Sequence, residues 1–312
     1  MYILAIETTG PVGSVAVIDA DGADRKQSED KALYSAGAVH ADEHVPVKIT
    51  TQTMSHLKNL IPIAAELLEE EKICRDEICA VAASIGPGSF TGIRIGVSTA
   101  RALAQAWNVP CISVPTLELF RQKCGENEKR SVEPEKNITD STDSGNAAGH
   151  DDGSVCVIFN ARRGQVYGAC YSGTGEALIE PGPYMLADML DRIEELRIKP
   201  LFYGDGVDAY FDKEEFIGRV SDFDAAPEAG RYQTADMTAR YAREVWKTAC
   251  ADEGSEADAE GQISAGRIVQ YEELLPDYMR ESEAEQRLKD GSLEKMRRAK
   301  MEKFMKMAGK QA

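Results

Sequence analysis

SIGPGSFTGIRIGVSTARALAQAW, residues 84–107, decides the fold. It follows the apolar run Ala80–Ser84 and precedes another, Cys111–Val114, so it reads as strand, glycine-rich turn, helix, strand. Gly86, Gly88 and Gly92 allow positive φ and close backbone approach directly after a strand, and Ser89 or Thr91 can cap the helix that follows. A helix N-terminus behind such a turn suits an anion. The stretch has neither a P-loop lysine nor a G-x-G-x-x-G spacing, so neither nucleotide-binding label applies. Along the helix, Gly92, Gly96, Ala100 and Ala104 recur every four residues and place a narrow strip of small side chains on one face. Such a strip admits close packing by another element, from the same chain or from a partner, and both readings stay open.

Upstream, Tyr2–Ile6 and Ser14–Ile18 flank Gly10-Pro11 and Gly13 and read as a β-hairpin. Residues 19–51 are polar and irregular, a third strand carrying a decorated loop. Leu57, Leu60, Ile61, Ala64, Leu67 and Leu68 fall at three- and four-residue spacing, which predicts a helix over residues 55–72. Downstream, residues 125–153 are rich in Asp, Glu, Ser, Asn and Gly and are expected to form a disordered insertion. Strands are predicted at Val155–Asn160 and Gln165–Tyr171, joined by a turn through Arg162, Arg163 and Gly164. A helix at Ala187–Leu196, a strand Leu201–Tyr203 ending in Gly204-Asp205-Gly206 and a helix near Thr234–Cys250 follow. Residues 251–261 form a second acidic low-complexity stretch. After Gly291 the charge changes sign, with Lys295, Arg297, Arg298, Lys300, Lys303, Lys306 and Lys310. This tail reads as a frayed, solvated helix, or as a basic amphipathic helix that touches nucleic acid or a partner.

Composition narrows the function. Of 312 residues, 43% are hydrophobic, so a packed core is expected. The formal net charge of −17 repels phosphate backbones and argues against autonomous nucleic-acid binding. Seven scattered cysteines contain no C-x-x-C pair and read as reduced, metal-free thiols. The first residues lack the features of a signal peptide and no run is long and apolar enough for a membrane span, so a cytoplasmic location is expected. His40-Ala41-Asp42-Glu43-His44 matches H-x-x-E-H, but Pro46 and the absence of apolar periodicity make it a surface loop rather than a zinc-protease helix. Gly204-Asp205-Gly206 reads as a phosphate or ribose loop, or as a plain strand-to-helix turn.

Taken together, these motifs resemble the bacterial TsaB (YeaZ) family. The carrying stretches are MYILAIETTGPVGSVAV, SHLKNLIPIAAELLEE and, above all, SIGPGSFTGIRIGVSTARALAQAWNVPCISVPTLE. NARRGQVYGACY, YGDG and LPDYMRESEAE add to them in the second half. The resemblance implies an α/β fold of the ASKHA type (actin, Hsp70, sugar kinases), with two similar lobes, each a mixed β-sheet flanked by helices. It divides the chain into an N-terminal lobe, 1–115, a C-terminal lobe, 116–290, and a basic tail, 291–312. The family members are non-catalytic paralogues of TsaD. They pair with TsaD, and with the ATPase TsaE, to make N6-threonylcarbamoyladenosine at position 37 of tRNAs that read codons beginning with A. The chain departs from the family in carrying Asn160 where members commonly have Asp, in its longer polar loops and in the tail.

The resemblance places the family's dimer surface on the two N-lobe helices, and the residues expected to face a partner are His56, Leu60, Ala64, Gly92, Arg94, Gly96 and Ala100. Small residues would permit helix approach, apolar ones would supply buried area, and Arg94 would anchor a carboxylate across the interface. Residues expected near a nucleotide are Glu7, Thr8, Gly86, Gly88, Ser89, Gly204 and Asp205. No catalytic residue and no metal ligand is assigned. No cofactor is expected to be held firmly by this chain, and a complex interface is left open as a place for ATP or ADP. A homodimer in isolation, a TsaD heterodimer and contact with tRNA through the complex are the expected associations. The alternatives are an active ASKHA-type ATPase or small-molecule kinase, and a peptidase, for which no credible nucleophile or metal site is present.

Overall fold

Tyr2–Glu7 (β1) and Ser14–Asp19 (β2) form the predicted hairpin, in register from Tyr2↔Asp19 to Glu7↔Ser14. The structure is a computed structural model and describes residues 1–22, 45–49, 56–124, 153–221, 223–251, 266–279 and 297–298. The two polar insertions, the H-x-x-E-H segment and most of the basic tail lie outside the described residues. Met1–Asp277 forms one compact unit, and Tyr278–Ala312 is a second.

The hairpin is followed by Val47–Ile49 (β3), His56–Glu70 (α1), Ile78–Gly86 (β4), Phe90–Trp107 (α2) and Cys111–Pro115 (β5). After a 3-10 stretch, Thr116–Lys123, come Val155–Arg162 (β6), Gln165–Tyr171 (β7), Ala177–Met185 (β8), Leu186–Leu196 (α3) and Leu201–Tyr203 (β9). Asp205–Tyr210 (α4), Ile217–Val220 (α5), Glu228–Arg231 (α6), Ala235–Ala251 (α7) and Ile268–Val269 (β10) complete the described elements.

Two mixed sheets result. The first has the order β10-β5-β4-β1-β2-β3, with β1, β4 and β5 parallel. The second has the order β8-β7-β6-β9, with β6 and β9 parallel and a parallel bridge from Phe202 to Ala225 beyond β9. Both repeat one scheme: an antiparallel meander of three strands, then a fourth strand parallel to the first. The edge strand β8 escaped sequence reasoning because Glu180-Pro181-Gly182-Pro183 looks like a loop. An edge position tolerates proline, which has no N–H to give to the ladder.

β1 is buried along its whole length, so both of its faces must be covered. Its even side, with Leu4 and Ile6, joins one apolar cluster with Leu60, Ala64 and Leu67 of α1 and Ile93, Val97 and Ala100 of α2. Its odd side, ending at Glu7, meets α7, whose Thr238 reaches the Glu7 carboxyl. The second sheet has its own apolar cluster, in which Cys156, Ile158 and Cys170 pack with Leu186, Met189 and Ile193 of α3.

Candidate functional site

The end of β1 carries the polar residues Glu7, Thr8 and Thr9, all buried. Strand alternation sends them to opposite sides. Thr8 turns to α2, where its hydroxyl donates to the Gly92 carbonyl at 2.7 Å. A Cβ on Gly92 would collide with the Thr8 carbonyl oxygen, and one on Gly96 with the Thr8 hydroxyl. The small-residue strip is therefore the slot into which the end of β1 fits.

Glu7 turns the other way. Its Oε1 accepts the Thr9 N–H and the Thr9 hydroxyl, each at 2.6 Å. Its other oxygen faces Thr238 Oγ1 at 3.4 Å, and Ser84 contributes a further hydrogen bond. Burial raises the Glu7 pKa above its ordinary value, against the opposing pull of the hydrogen bonds from Ser84, Thr9 and Thr238.

The glycine-rich turn lies against the same strand end. The Ser89 N–H donates to the Thr9 carbonyl at 2.8 Å, and Gly88 approaches Thr9 so closely that a Cβ would lie 2.6 Å from that oxygen. Gly86 is similarly confined by the Asp277 carbonyl. Of the two cap candidates, Ser89 and Thr91, it is Ser89 that caps α2, by accepting the Gly92 N–H at 3.2 Å. Glu7, Thr8, Gly86, Gly88 and Ser89 are thus brought together.

Gly204 and Asp205 belong to a second turn, at the end of β9. Gly204 has φ 92° and packs against the Ile158 carbonyl, where a side chain would not fit. Asp205 Oδ1 accepts the Asn160 N–H at 3.0 Å, and burial is the main cause that raises its pKa. The chain itself joins the two turns. Gly204 N–H donates to the Arg231 carbonyl at 2.9 Å, and two residues later Gln233 Nε2 donates to Thr9 Oγ1 at 3.0 Å. Three residues span at most about 10 Å, so both turns converge on residues 231–233.

That convergence is filled from within. A Cβ on Gly10 would lie 2.9 Å from Gln233 Nε2, so the Gln233 side chain occupies the space beside the Thr9-Gly10 turn. Gln233 is buried, and among the described residues its Oε1 has no hydrogen-bond partner. Just beyond, Ser14 Oγ accepts the Ala235 N–H at 2.9 Å and satisfies an open donor at the start of α7. Among the described residues no group of three or more His, Cys, Asp or Glu is placed to hold a metal ion, and no helix is long and apolar enough to cross a membrane. The oxygens of Glu7 are engaged by hydroxyl and amide donors from within the chain.

The helices expected to meet a partner need correction residue by residue. Leu60, Ala64, Gly92, Gly96 and Ala100 are buried within the chain itself, against the first sheet, and offer no surface. The four-residue repeat of small residues reports intrachain packing because Thr8 and Ile6 need that room. His56 opens α1, and its side chain lies outside the described residues. Arg94 is exposed, with its guanidinium 4.0 Å from the centre of the Phe90 ring. Phe90 is itself 39% exposed and Ile61 of α1 is 56% exposed. Sequence reasoning missed Phe90, although its spacing of four from Arg94 was visible. It also missed Ser84, 77 residues from Glu7, and Gln233 and Thr238, whose contacts with the end of β1 span most of the chain.

Three comparisons place this architecture. A family model described as TsaD: tRNA N6-adenosine threonylcarbamoyltransferase matches residues 48–213, more than half of the chain. The tRNA threonylcarbamoyladenosine biosynthesis protein TsaB of Bacillus subtilis (strain 168) is 28% identical over 180 residues, covering 56% of this chain and 68% of that protein. The fold is similar to two structures from Pseudomonas aeruginosa, one described as an uncharacterized protein with similarity to peptidase YEAZ and the other as YeaZ. Their TM-scores are 0.57 and 0.52, each at 19% identity and covering 89% of this chain and 99% of the other. The chain belongs to the family that the TsaD model describes and, within it, to the TsaB/YeaZ group.

Proposed function

We propose that this chain is the TsaB-type subunit of a tRNA N6-threonylcarbamoyladenosine synthesis complex, which pairs with TsaD and activates it without performing chemistry itself. One observation carries the reading. The turn at the end of β1, where a catalytic relative would hold phosphate and Mg²⁺, is filled by Gln233 and by a Glu7 carboxyl engaged with Thr9, Ser84 and Thr238. In this reading TsaD transfers the threonylcarbamoyl group to adenosine 37 of tRNAs that read codons beginning with A, and TsaE accompanies the pair. The names of the matched family and of the Bacillus subtilis relative support that pathway.

The repeated strand order of the two sheets supports an ASKHA-type division into lobes, 1–115 and 116–290, with a basic tail at 291–312. We assign the partner surface to the outward sides of α1 and α2, around Ile61, Phe90 and Arg94. The chain forms a homodimer when alone, exchanges it for the TsaD heterodimer, and acts in the cytoplasm. Any ATP or ADP belongs to the complex interface rather than to the filled turn of this subunit.

TsaD from the same cell, purified alone and together with this chain, tests the proposal. The expected result is co-elution, and formation of threonylcarbamoyladenosine on a tRNA transcript only when both are present. Absence of co-elution, with TsaD fully active alone, overturns it. ATP turnover by the isolated chain, abolished by Glu7→Gln, would establish the ATPase reading in its place.

A further inference from the structure

We propose that the β6–β7 turn, Arg162-Arg163-Gly164, is a rigid phosphate-binding tip that contacts the backbone of an RNA. The inference rests on the tRNA-modification reading above and assigns to this chain a share of the RNA contact. Its first support is the backbone. Arg162, Arg163 and Gly164 all have positive φ, at 66°, 56° and 74°. Arg163 and Gly164 are the two residues between the paired Arg162 and Gln165, a connection whose twist requires left-handed residues and favours Asn or Gly first. One step earlier, the register slips between Asn160↔Val166 and Arg162↔Gln165, and Arg162 takes a left-handed bulge position that commonly falls to glycine. Two arginines thus stand where the backbone favours smaller residues. Strain of this kind persists only where the surroundings enforce it, and it clusters at functional sites.

The surroundings do enforce it. Asn160 Oδ1 accepts the Arg162 N–H at 2.8 Å. The hydroxyl of Tyr210, a buried residue, lies 3.0 Å from Asn160 Oδ1 and 3.1 Å from the Gln165 carbonyl, so its proton bridges both sides of the turn. Asp205 Oδ1 fixes the Asn160 N–H, and the Leu186 N–H donates to the Gly164 carbonyl at 2.9 Å. Tyr210 is buried and Asp205, Gly164 and Gln165 are half-buried, while Asn160 is exposed with Arg162 and Arg163.

Charge supports the same assignment. Acidic residues outnumber basic ones by 53 to 36, so a phosphate chain is repelled unless fixed cations are offered locally. Guanidinium groups suit phosphate because they donate in a planar fork, and a rigid turn removes part of the ordering cost of binding. The nearby acids are themselves engaged within the chain. Asp208 is held in an ion pair by Arg231 and accepts the Tyr232 hydroxyl at 2.7 Å, while burial drives Asp205 toward its neutral form.

The test measures binding of a fluorescent tRNA transcript by the full-length chain in complex with TsaD, across a series of salt concentrations. Arg162→Ala/Arg163→Ala is expected to weaken binding about 5- to 20-fold near 0.1 M salt. The slope of log K against log salt should become shallower by about 1 to 2, as for two lost phosphate contacts. Arg162→Gly/Arg163→Asn should weaken binding equally while raising the thermal midpoint, because it relaxes the turn. Unchanged affinity and slope in both variants overturn the inference. So does a loss confined to TsaD pairing, which would make the tip a protein contact. If the wild-type chain does not pair with TsaD, the functional reading fails separately, and the same comparison on the chain alone decides the fate of the tip.

Discussion

The Thr8 hydroxyl donates to the carbonyl of Gly92, 84 residues away, and the same threonine fills the space that a side chain on Gly92 or Gly96 would need. The end of β1 and the first turns of α2 therefore lock in a single arrangement. Gly96→Ala should destabilise the chain by about 1–3 kcal/mol, the usual range for overpacking a dense core. Thermal unfolding checks this. Thr8→Ala should by itself cost the buried hydrogen bond, yet in the Gly96→Ala background it should return part of the lost stability by removing the clashing hydroxyl. Independent, additive losses would show that the two residues do not share this slot.

Glu7 makes stability depend on pH. Its folded-state pKa lies above the ordinary carboxyl value of 4.5, chiefly through burial, so the folded chain holds the proton more tightly than the unfolded one. The resulting stabilisation is complete below the ordinary value and is lost as pH rises through the folded-state value. Glu7→Gln keeps an acceptor for Thr9 and supplies permanent donors toward Ser84 and Thr238. It should flatten this part of the profile and equal or exceed the wild type in stability at the alkaline end. Urea unfolding from pH 4.5 to 8 tests the sign, and parallel curves for the two proteins would contradict it.

Ser14 gives β2 a role at the start of α7, by accepting the Ala235 N–H. Ser14→Ala leaves that donor buried and unmet, and should cost about 1–2 kcal/mol, in the range of a lost helix cap. Hydrogen exchange should show the loss first in the opening turn of α7. A uniform change across the unit would mean that the contact is not a local cap.

Much of the architecture was legible in the sequence, for identifiable reasons. The β1–β2 hairpin, α1, α2 and the β6–β7 hairpin each combine an apolar period with turn residues at their ends, and both signals are local. A cap at Ser89 or Thr91 was visible on the same grounds, and the structure selects Ser89. The direction of the small-residue strip was not. Four small residues at helical spacing are equally compatible with a neighbouring strand and with a partner helix, and only the pairing of β1 with β4 brings Thr8 against Gly92. The contact of Gln233 with Thr9 spans 224 residues and leaves no local pattern. A single buried glutamine looks like any loop residue until two distant turns are seen to meet around it.

Under the proposed pairing with TsaD, the inward direction of the strip assigns docking to the other side of the same helices. There Arg94 stacks on Phe90, and Ile61 presents an exposed apolar side chain on α1. An aromatic residue paired with arginine is the composition found at energetically dominant interface positions. Phe90→Asp and Ile61→Asp should each weaken pairing with TsaD by about 10-fold or more, corresponding to at least 1.4 kcal/mol, with little change in thermal midpoint because both side chains are already exposed. Arg94→Ala should have a smaller effect, near the 0.5–1 kcal/mol of an exposed cation–π pair, together with any carboxylate contact it makes across the interface. Gly96→Ala provides the contrast, since it should lower the midpoint and impair pairing only through folding. Titration of each variant against TsaD, beside its melting curve, separates the two sides of the helix. Pairing that survives both aspartate substitutions would place the partner elsewhere on the chain.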